Sequence, residues 1–178
     1  MKKQRKVVLF LVKFFASYFL LFVIYSTYLQ KSQVKEDFFK CDGVTVAVAN
    51  QTVALLNVFG YTSNAIQHDK ELSVKIIFNK IYTARVIEGC NSISIIILFL
   101  AFIIAFKGSI KATVIFGLLG SIFIYFINVS RIALLTVLLN KFPEAQEFLH
   151  NLVFPAIIYG ATFLLWMLWV QKYSDYKA

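Results

Sequence analysis

Four stretches of this chain, about residues 7–29, 91–106, 112–139 and 150–170, are apolar almost throughout and hold only two charged side chains between them, Lys13 and Arg131. Runs of that length leave few options. Where water is excluded, every backbone N–H and C=O must find a partner within the protein, and a helix satisfies them within one segment. Roughly 18 or more apolar residues also suffice to cross a bilayer core of about 30 Å. With 60% of the 178 residues hydrophobic and 15% charged, a soluble domain of this size would have too little interior to hide them. The expected fold class is an all-α membrane protein with four transmembrane helices and a small extracytoplasmic segment, residues 30–89. It is read as a single membrane domain over 1–178.

Charge sets the expected orientation. Put the N-terminus in the cytoplasm, and the inner pieces carry Lys2, Lys3, Arg5, Lys6, Lys107, Lys111, Lys172 and Lys177 against one acid, Asp175. The outer pieces balance eight basic residues against eight acids. This is the positive-inside pattern, and it places the protein in the inner (cytoplasmic) membrane as a multi-pass protein. The basic start resembles the head of a signal peptide. However, the following apolar run is longer than a signal core, and no small-x-small cleavage site follows Tyr25, so an uncleaved first span is expected. Lys13 snorkels to the inner headgroups. Trp166 and Trp169 near the end of the last span are read as interfacial anchors.

The net charge of +9 does not point to nucleic acid, because the basic residues flank apolar runs instead of forming a stripe interleaved with aromatics. Two cysteines, Cys41 and Cys90, without a CxxC pair, and two histidines, His68 and His150, supply neither a disulfide framework nor metal-ligand spacing. No metal and no cofactor are expected. Within 30–89, residues 44–59 pattern as an amphipathic or membrane-dipping helix with Val44, Val48, Leu55 and Phe59 roughly on one face. Residues 73–78 and 81–87 are β-branched and aromatic around Asn79-Lys80, which predicts a hairpin leading into Cys90.

Topology then brings three reactive residues to one level. Cys90 begins the second span at its outer end, Arg131 lies near the outer end of the third, and His150 opens the fourth. Taken alone, each has an ordinary reading: a small apolar residue, a snorkelling arginine, a polar cap. Arg131, however, interrupts an apolar run, and an ionisable residue there is costly enough to mark a site. A thiolate is a nucleophile and a nearby cation favours that form. Arg131 can supply the cation or bind an oxyanion, and His150 can carry protons to a leaving amine. As its span begins at Cys90, the helix N-terminus is expected to add partial positive charge beside the sulfur. Asn128, three residues before Arg131, is placed to orient Arg131 or His150. Glu88 is a supporting candidate or a solvated loop acid.

These residues also carry a pattern. Glu88-Gly89-Cys90-Asn91-Ser92-Ile93 resembles the exosortase and archaeosortase motif, commonly Glu-Ala-Cys-Ser-Gly-Leu. Asn128-Val129-Ser130-Arg131-Ile132 resembles that family's Asn-x-x-Arg-Ile, and His150 matches its third position. The resemblance covers about residues 44–170. Gly89 and Ser92 depart from the commoner Ala and Gly, and the chain has fewer spans than many exosortases, which makes it most similar to the short exosortase F type. The resemblance implies a membrane-embedded cysteine protease and transpeptidase with catalytic Cys90, Arg131 and His150 facing outward. Its partners would be exported proteins ending in a short motif, a hydrophobic helix and a basic tail, and it would transfer them to a cell-surface acceptor. The alternative is a non-catalytic membrane accessory or assembly protein, which needs no active site. A thiol oxidoreductase would require cysteine pairs to relay electrons, and Cys41 is read instead as a free or structural thiol.

Overall fold

The computed structural model describes residues 2–34, 39–106 and 108–173. Lys35, Glu36, Asp37, Lys107, Asp175 and Lys177, which enter the charge pattern, lie outside them. The order is α1 (Lys2–Ser32), α2 (Gly43–Val58), β1 (Ser63–Gln67), β2 (Ser73–Phe78), β3 (Ile81–Ile87), a 3-10 turn (Glu88–Cys90), α3 (Ile93–Ala105) and α4 (Ile110–Lys141). A second 3-10 turn (Pro143–Ala145), the one-turn α5 (Gln146–Phe148), a π-turn (Leu149–Val153) and α6 (Phe154–Lys172) complete the chain. Two compact units result. One gathers the described residues of 2–27, 93–125 and 159–173, the other those of 28–92 and 126–158.

Among the described residues, three apolar helical segments are long enough to cross a membrane: Gln4–Ser32, Ile110–Lys141 and Pro143–Lys172. The protein is therefore mostly helical and multi-pass. The second expected span, 91–106, forms the 13-residue α3, about 20 Å at roughly 1.5 Å per residue. It is shortened at its start because Glu88–Cys90 is a 3-10 turn and Ser92 takes a left-handed φ of 67°. Asn128–Arg131 does not break the third span: α4 runs through it for 32 residues.

The first unit is a helix layer knit by aromatic rings. Phe10 of α1 meets Phe102 and Phe106 of α3, and Ser17 reaches the Ala101 carbonyl at 3.4 Å. Rising numbers on α1 meet falling numbers on α3, so the two run antiparallel, with the end of α3 beside the start of α1. Trp166 stacks on Phe102 at 4.4 Å, and Trp169 is fully buried between Phe116 and Tyr173. The expectation that both tryptophans are interfacial anchors is thus corrected for Trp169, because aromatic packing claims its ring. Gly117 and Gly120 let α4 approach α3 closely, against Leu100, Ile103 and Phe99.

The second unit is α2 on a three-stranded antiparallel sheet of order β1-β2-β3. Asp42 caps α2 by accepting from the Thr45 N–H at 3.0 Å. Gly60, at φ 84°, closes its other end, with the Tyr61 N–H on the Leu56 carbonyl. The buried face of α2 is Thr45, Val48, Ala49, Thr52 and Leu56. Of the expected face only Val48 is fully buried and Phe59 is 71% exposed, because two threonines that bond within the unit take core positions that an apolar count passes over. The hairpin forms as expected: Asn79 and Lys80 both take positive φ, 49° and 69°, as a two-residue type I′ turn requires. The strand β1 was not foreseen. Its Ser-Asn-Ala-Ile-Gln has little strand preference, but Asn57 brackets Ser63 and Asn79 accepts from Thr62, which lays it along β2.

A Cβ on Gly120 would come within 2.3 Å of the Phe99 ring, whereas one on Gly160 meets nothing within 4 Å. Gly120→Ala should cost about 1–3 kcal/mol through overpacking and lower the thermal unfolding midpoint in detergent. Gly160→Ala should leave that midpoint unchanged.

Candidate active site

The chain around Cys90 is irregular, and side chains hold it in place. After β3, Glu88–Cys90 makes one 3-10 turn closed by the Asn91 N–H on the Glu88 carbonyl at 3.1 Å. Ser92 then turns left-handed, and its hydroxyl donates to the Asn91 carbonyl at 2.6 Å. Ser92 stands where the resembled motif carries glycine, and the positive φ supplies a physical reason for glycine there. Because α3 begins only at Ile93, Cys90 precedes its first turn by three residues. The expected support from a helix N-terminus beginning at Cys90 is corrected accordingly.

Two buried contacts fasten this turn. The Asn128 side-chain amide of α4 donates to the Cys90 carbonyl at 2.6 Å. Asn91 donates to the Thr45 hydroxyl at 3.2 Å, and that hydroxyl donates to Asp42 at 2.6 Å. Asp42, Thr45, Asn91 and Asn128 are all fully buried. Buried polar groups are costly unless bonded, so a linked set of them holds its geometry firmly. The expectation for Asn128 was a partner in Arg131 or His150; its amide instead holds the backbone of the cysteine.

Cys90 is half-buried and borders a cavity of about 410 Å³. His150 borders the same cavity, together with Tyr82, Thr83, Ala84, Arg85 and Ile87 of β3, Leu135 and Leu139 of α4, and Gln146. Arg131 is not among these lining residues. It lies one turn before Leu135, on the i, i+4, i+8 stripe of α4 that supplies Leu135 and Leu139. Glu88 does not line the cavity either; it opens the 3-10 turn. The sequence reading passed over Arg85. Its guanidinium is held by Glu71 at 2.8 and 2.7 Å, and Glu71 also lies 3.1 Å from His68. The signal available was its place on the strand that runs into Cys90.

His150 owes its position to a distortion. The turn Leu149–Val153 is π-helical, with the Phe154 N–H bonded to the Leu149 carbonyl five residues back. Pro155 follows at once, and a proline ring clashes with the carbonyl four residues earlier, here that of Asn151, so the turn widens. Such turns are rare and frequent at functional sites. The exposed His150 ring lies 3.3 Å from the Asn151 side-chain oxygen.

The two cysteines are both free and differ sharply. Cys41 is 3% exposed; its sulfur accepts from Gln67 at 3.5 Å. Burial pushes the Cys41 thiol up, outweighing the opposing Gln67 bond, and Asp42 adds to the rise. An inert structural thiol fits this setting.

A maleimide mass tag should therefore add once to the native protein in detergent, at Cys90, and twice after denaturation. Asn128→Ala removes a buried bond worth about 1–3 kcal/mol and should speed labelling of Cys90 while Cys41 stays protected.

Comparison with known proteins bears on the same residues. The transmembrane exosortase family matches residues 9–169. The probable archaeosortase E of Methanocaldococcus jannaschii is 25% identical over 152 residues, covering 85% of this chain and 70% of that protein. No solved structure matches.

Proposed function

The chain belongs to the transmembrane exosortase family, whose members are membrane-embedded cysteine transpeptidases acting on exported proteins with C-terminal sorting signals, and on that premise we propose that Cys90, Arg131 and His150 form its catalytic set. The observation that supports this is that Cys90 and His150 border one cavity, with Arg131 a turn away on the α4 stripe that lines it. Substrates are exported proteins ending in a short motif, a hydrophobic helix and a basic tail. The subtype it fits best is the short exosortase F type, with 1–178 working as one membrane domain.

The chemistry follows from what each group can do. The Cys90 thiolate attacks the scissile carbonyl carbon and a C–S bond forms. Arg131 stabilises the oxyanion. As the C–N bond breaks, the leaving amine takes a proton from His150. The thioester is then attacked by the acceptor, which gives its proton to His150 as Cys90 departs as thiolate. Asn128 acts at one remove by holding the Cys90 carbonyl. The signal's hydrophobic helix packs laterally against the spans and keeps the scissile bond near Cys90, replacing the cleft of a soluble protease by proximity.

We read the chain as crossing the inner membrane four times, α3 included, with both termini in the cytoplasm. Support comes from the antiparallel contact of α1 and α3, which keeps Lys111 on the same side as the basic N-terminus. If α3 did not cross, Lys111 and Lys172 would both be exported, against the positive-inside pattern. From Ile110, Arg131 lies 21 residues along α4, about 32 Å at roughly 1.5 Å per residue, which is the outer interface. Cysteine introduced at Lys70 should label from outside intact cells and cysteine at Ser109 should not. Labelling of position 109 from outside would overturn the orientation.

Incubation with a tagged reporter carrying such a signal should yield a hydroxylamine-sensitive adduct on Cys90. Cys90→Ala should abolish both adduct and cleavage while the protein still inserts and folds. Arg131→Lys should lose most activity, because a point charge does not reproduce the planar fork. Full processing by the Cys90→Ala protein would return the non-catalytic accessory reading.

A further inference from the structure

β3 is an edge strand. In the order β1-β2-β3 one side pairs with β2, and among the described residues no strand pairs with the other. The cavity at Cys90 runs along that open side. Tyr82, Thr83, Ala84, Arg85 and Ile87 all line it. Tyr82, Arg85 and Ile87 share one face of the sheet with their partners Ile77, Lys75 and Ser73, whereas Ala84, opposite Ile76, belongs to the other face, so the cavity reaches the edge of β3 where the two faces meet. A second cavity of about 340 Å³ continues it past Ile81, sharing Tyr82, Thr83, Leu139 and Gln146 with the first. The result is a groove with β3 on one wall and the end of α4 on the other, leading to Cys90 three residues beyond Ile87.

The strand's irregularity divides the groove. Ile76 pairs with Ala84 and Ile77 with Tyr82, so Thr83 is the extra residue of a bulge. Its hydroxyl bonds back to the Ile81 carbonyl at 3.2 Å. Bulges break edge pairing. Here the bulge leaves Ala84–Ile87, the stretch adjoining Cys90, as regular unpartnered edge.

We propose that the substrate segment preceding the scissile bond adds to this edge as a fourth strand, parallel to β3, and that main-chain pairing carries the scissile carbonyl to Cys90. The proposal rests on the cysteine-peptidase reading above and supplies its missing half, the means by which substrate is held. Direction follows from chain polarity. The signal's hydrophobic helix lies C-terminal to the cut and occupies the bilayer, so the residues before the cut lie beside the hydrophilic segment. β3 itself advances toward Cys90, so substrate approaching the same sulfur from outside runs the same way. From Tyr82 to Ile87 the groove spans about 17 Å at roughly 3.3 Å per residue, room for about five extended residues. Pairing through main-chain groups gives affinity with little dependence on side chains, which suits an enzyme that must accept exported proteins of unrelated sequence. Polar groups along the groove, Thr83, Gln146 and the Glu71-braced Arg85, match a peptide better than a lipid chain.

Disulfide trapping tests this without turnover. In the Cys90→Ala, Ala84→Cys protein, reconstituted in vesicles, a reporter ending in a motif, hydrophobic helix and basic tail is given single cysteines at successive positions before the cut. Trapping should alternate with a period of two, strong and weak by at least fivefold. In parallel, backbone N-methylation at successive positions of a synthetic signal peptide should lower the rate of Cys90 adduct formation by wild-type protein at alternate positions, each about five- to tenfold for one lost main-chain bond. A normal Cys90 adduct with flat trapping and flat N-methyl profiles overturns strand addition and leaves the peptidase reading intact. Alternating trapping without any Cys90 adduct supports strand docking and overturns the acyl-transfer reading. Trapping with a period of three to four, or none with no adduct, overturns the proposal.

Discussion

The bond from the Asn128 amide to the Cys90 carbonyl, 2.6 Å long and fully buried on the Asn128 side, is the contact on which the arrangement around the cysteine depends. A short irregular turn before an apolar helix leaves carbonyls that no intrahelical partner satisfies. Irregular backbone in apolar surroundings is tolerated only where the protein itself supplies the missing partners. Here Asn128 serves Cys90, Ser92 serves Asn91, and the Asn91 N–H serves Glu88. With those partners, α3 can begin late and the thiol is left at the mouth of a cavity instead of inside a helix.

The same economy explains the other irregular places. Pro155 cannot be accommodated by a regular turn, and the widened π-turn before it carries His150. The bulge at Thr83 interrupts β3, and the regular edge resumes where the strand approaches Cys90. Regular helix and sheet provide the frame, and these departures from regularity lie at residues of the candidate site or beside the groove that adjoins it. Local strain held by surrounding packing is a recurrent property of functional sites, and Ser92, a non-glycine residue with positive φ outside the hairpin turn, lies two positions from the thiol.

Much of this was legible in order along the chain. Length and apolarity announced α1, α4 and the Pro143–Lys172 segment, and β-branched residues around Asn79-Lys80 announced the hairpin. The motif around Cys90, Asn128–Ile132 and His150 announced the family. What escaped depended on pairing. β1 is a weak strand sequence held by Asn57 and Asn79. The buried face of α2 contains threonines because Asp42 and Asn91 give Thr45 partners. Arg85 and Gln146 carry no motif and become noticeable only once the cavity they border is formed.

By itself, the sequence determined that this is a multi-pass membrane protein of the exosortase family, because apolar run length and three short motifs are local properties that folding does not rearrange. Only the tertiary structure decided that Asn128 holds the Cys90 backbone, that His150 shares a cavity with Cys90 while Arg131 stands a turn away from its lining, and that β3 offers an open edge beside the thiol. Those facts join residues 38 and 60 positions apart in the chain, and no pattern of spacing along one strand or helix encodes which distant side chain will satisfy a given buried carbonyl.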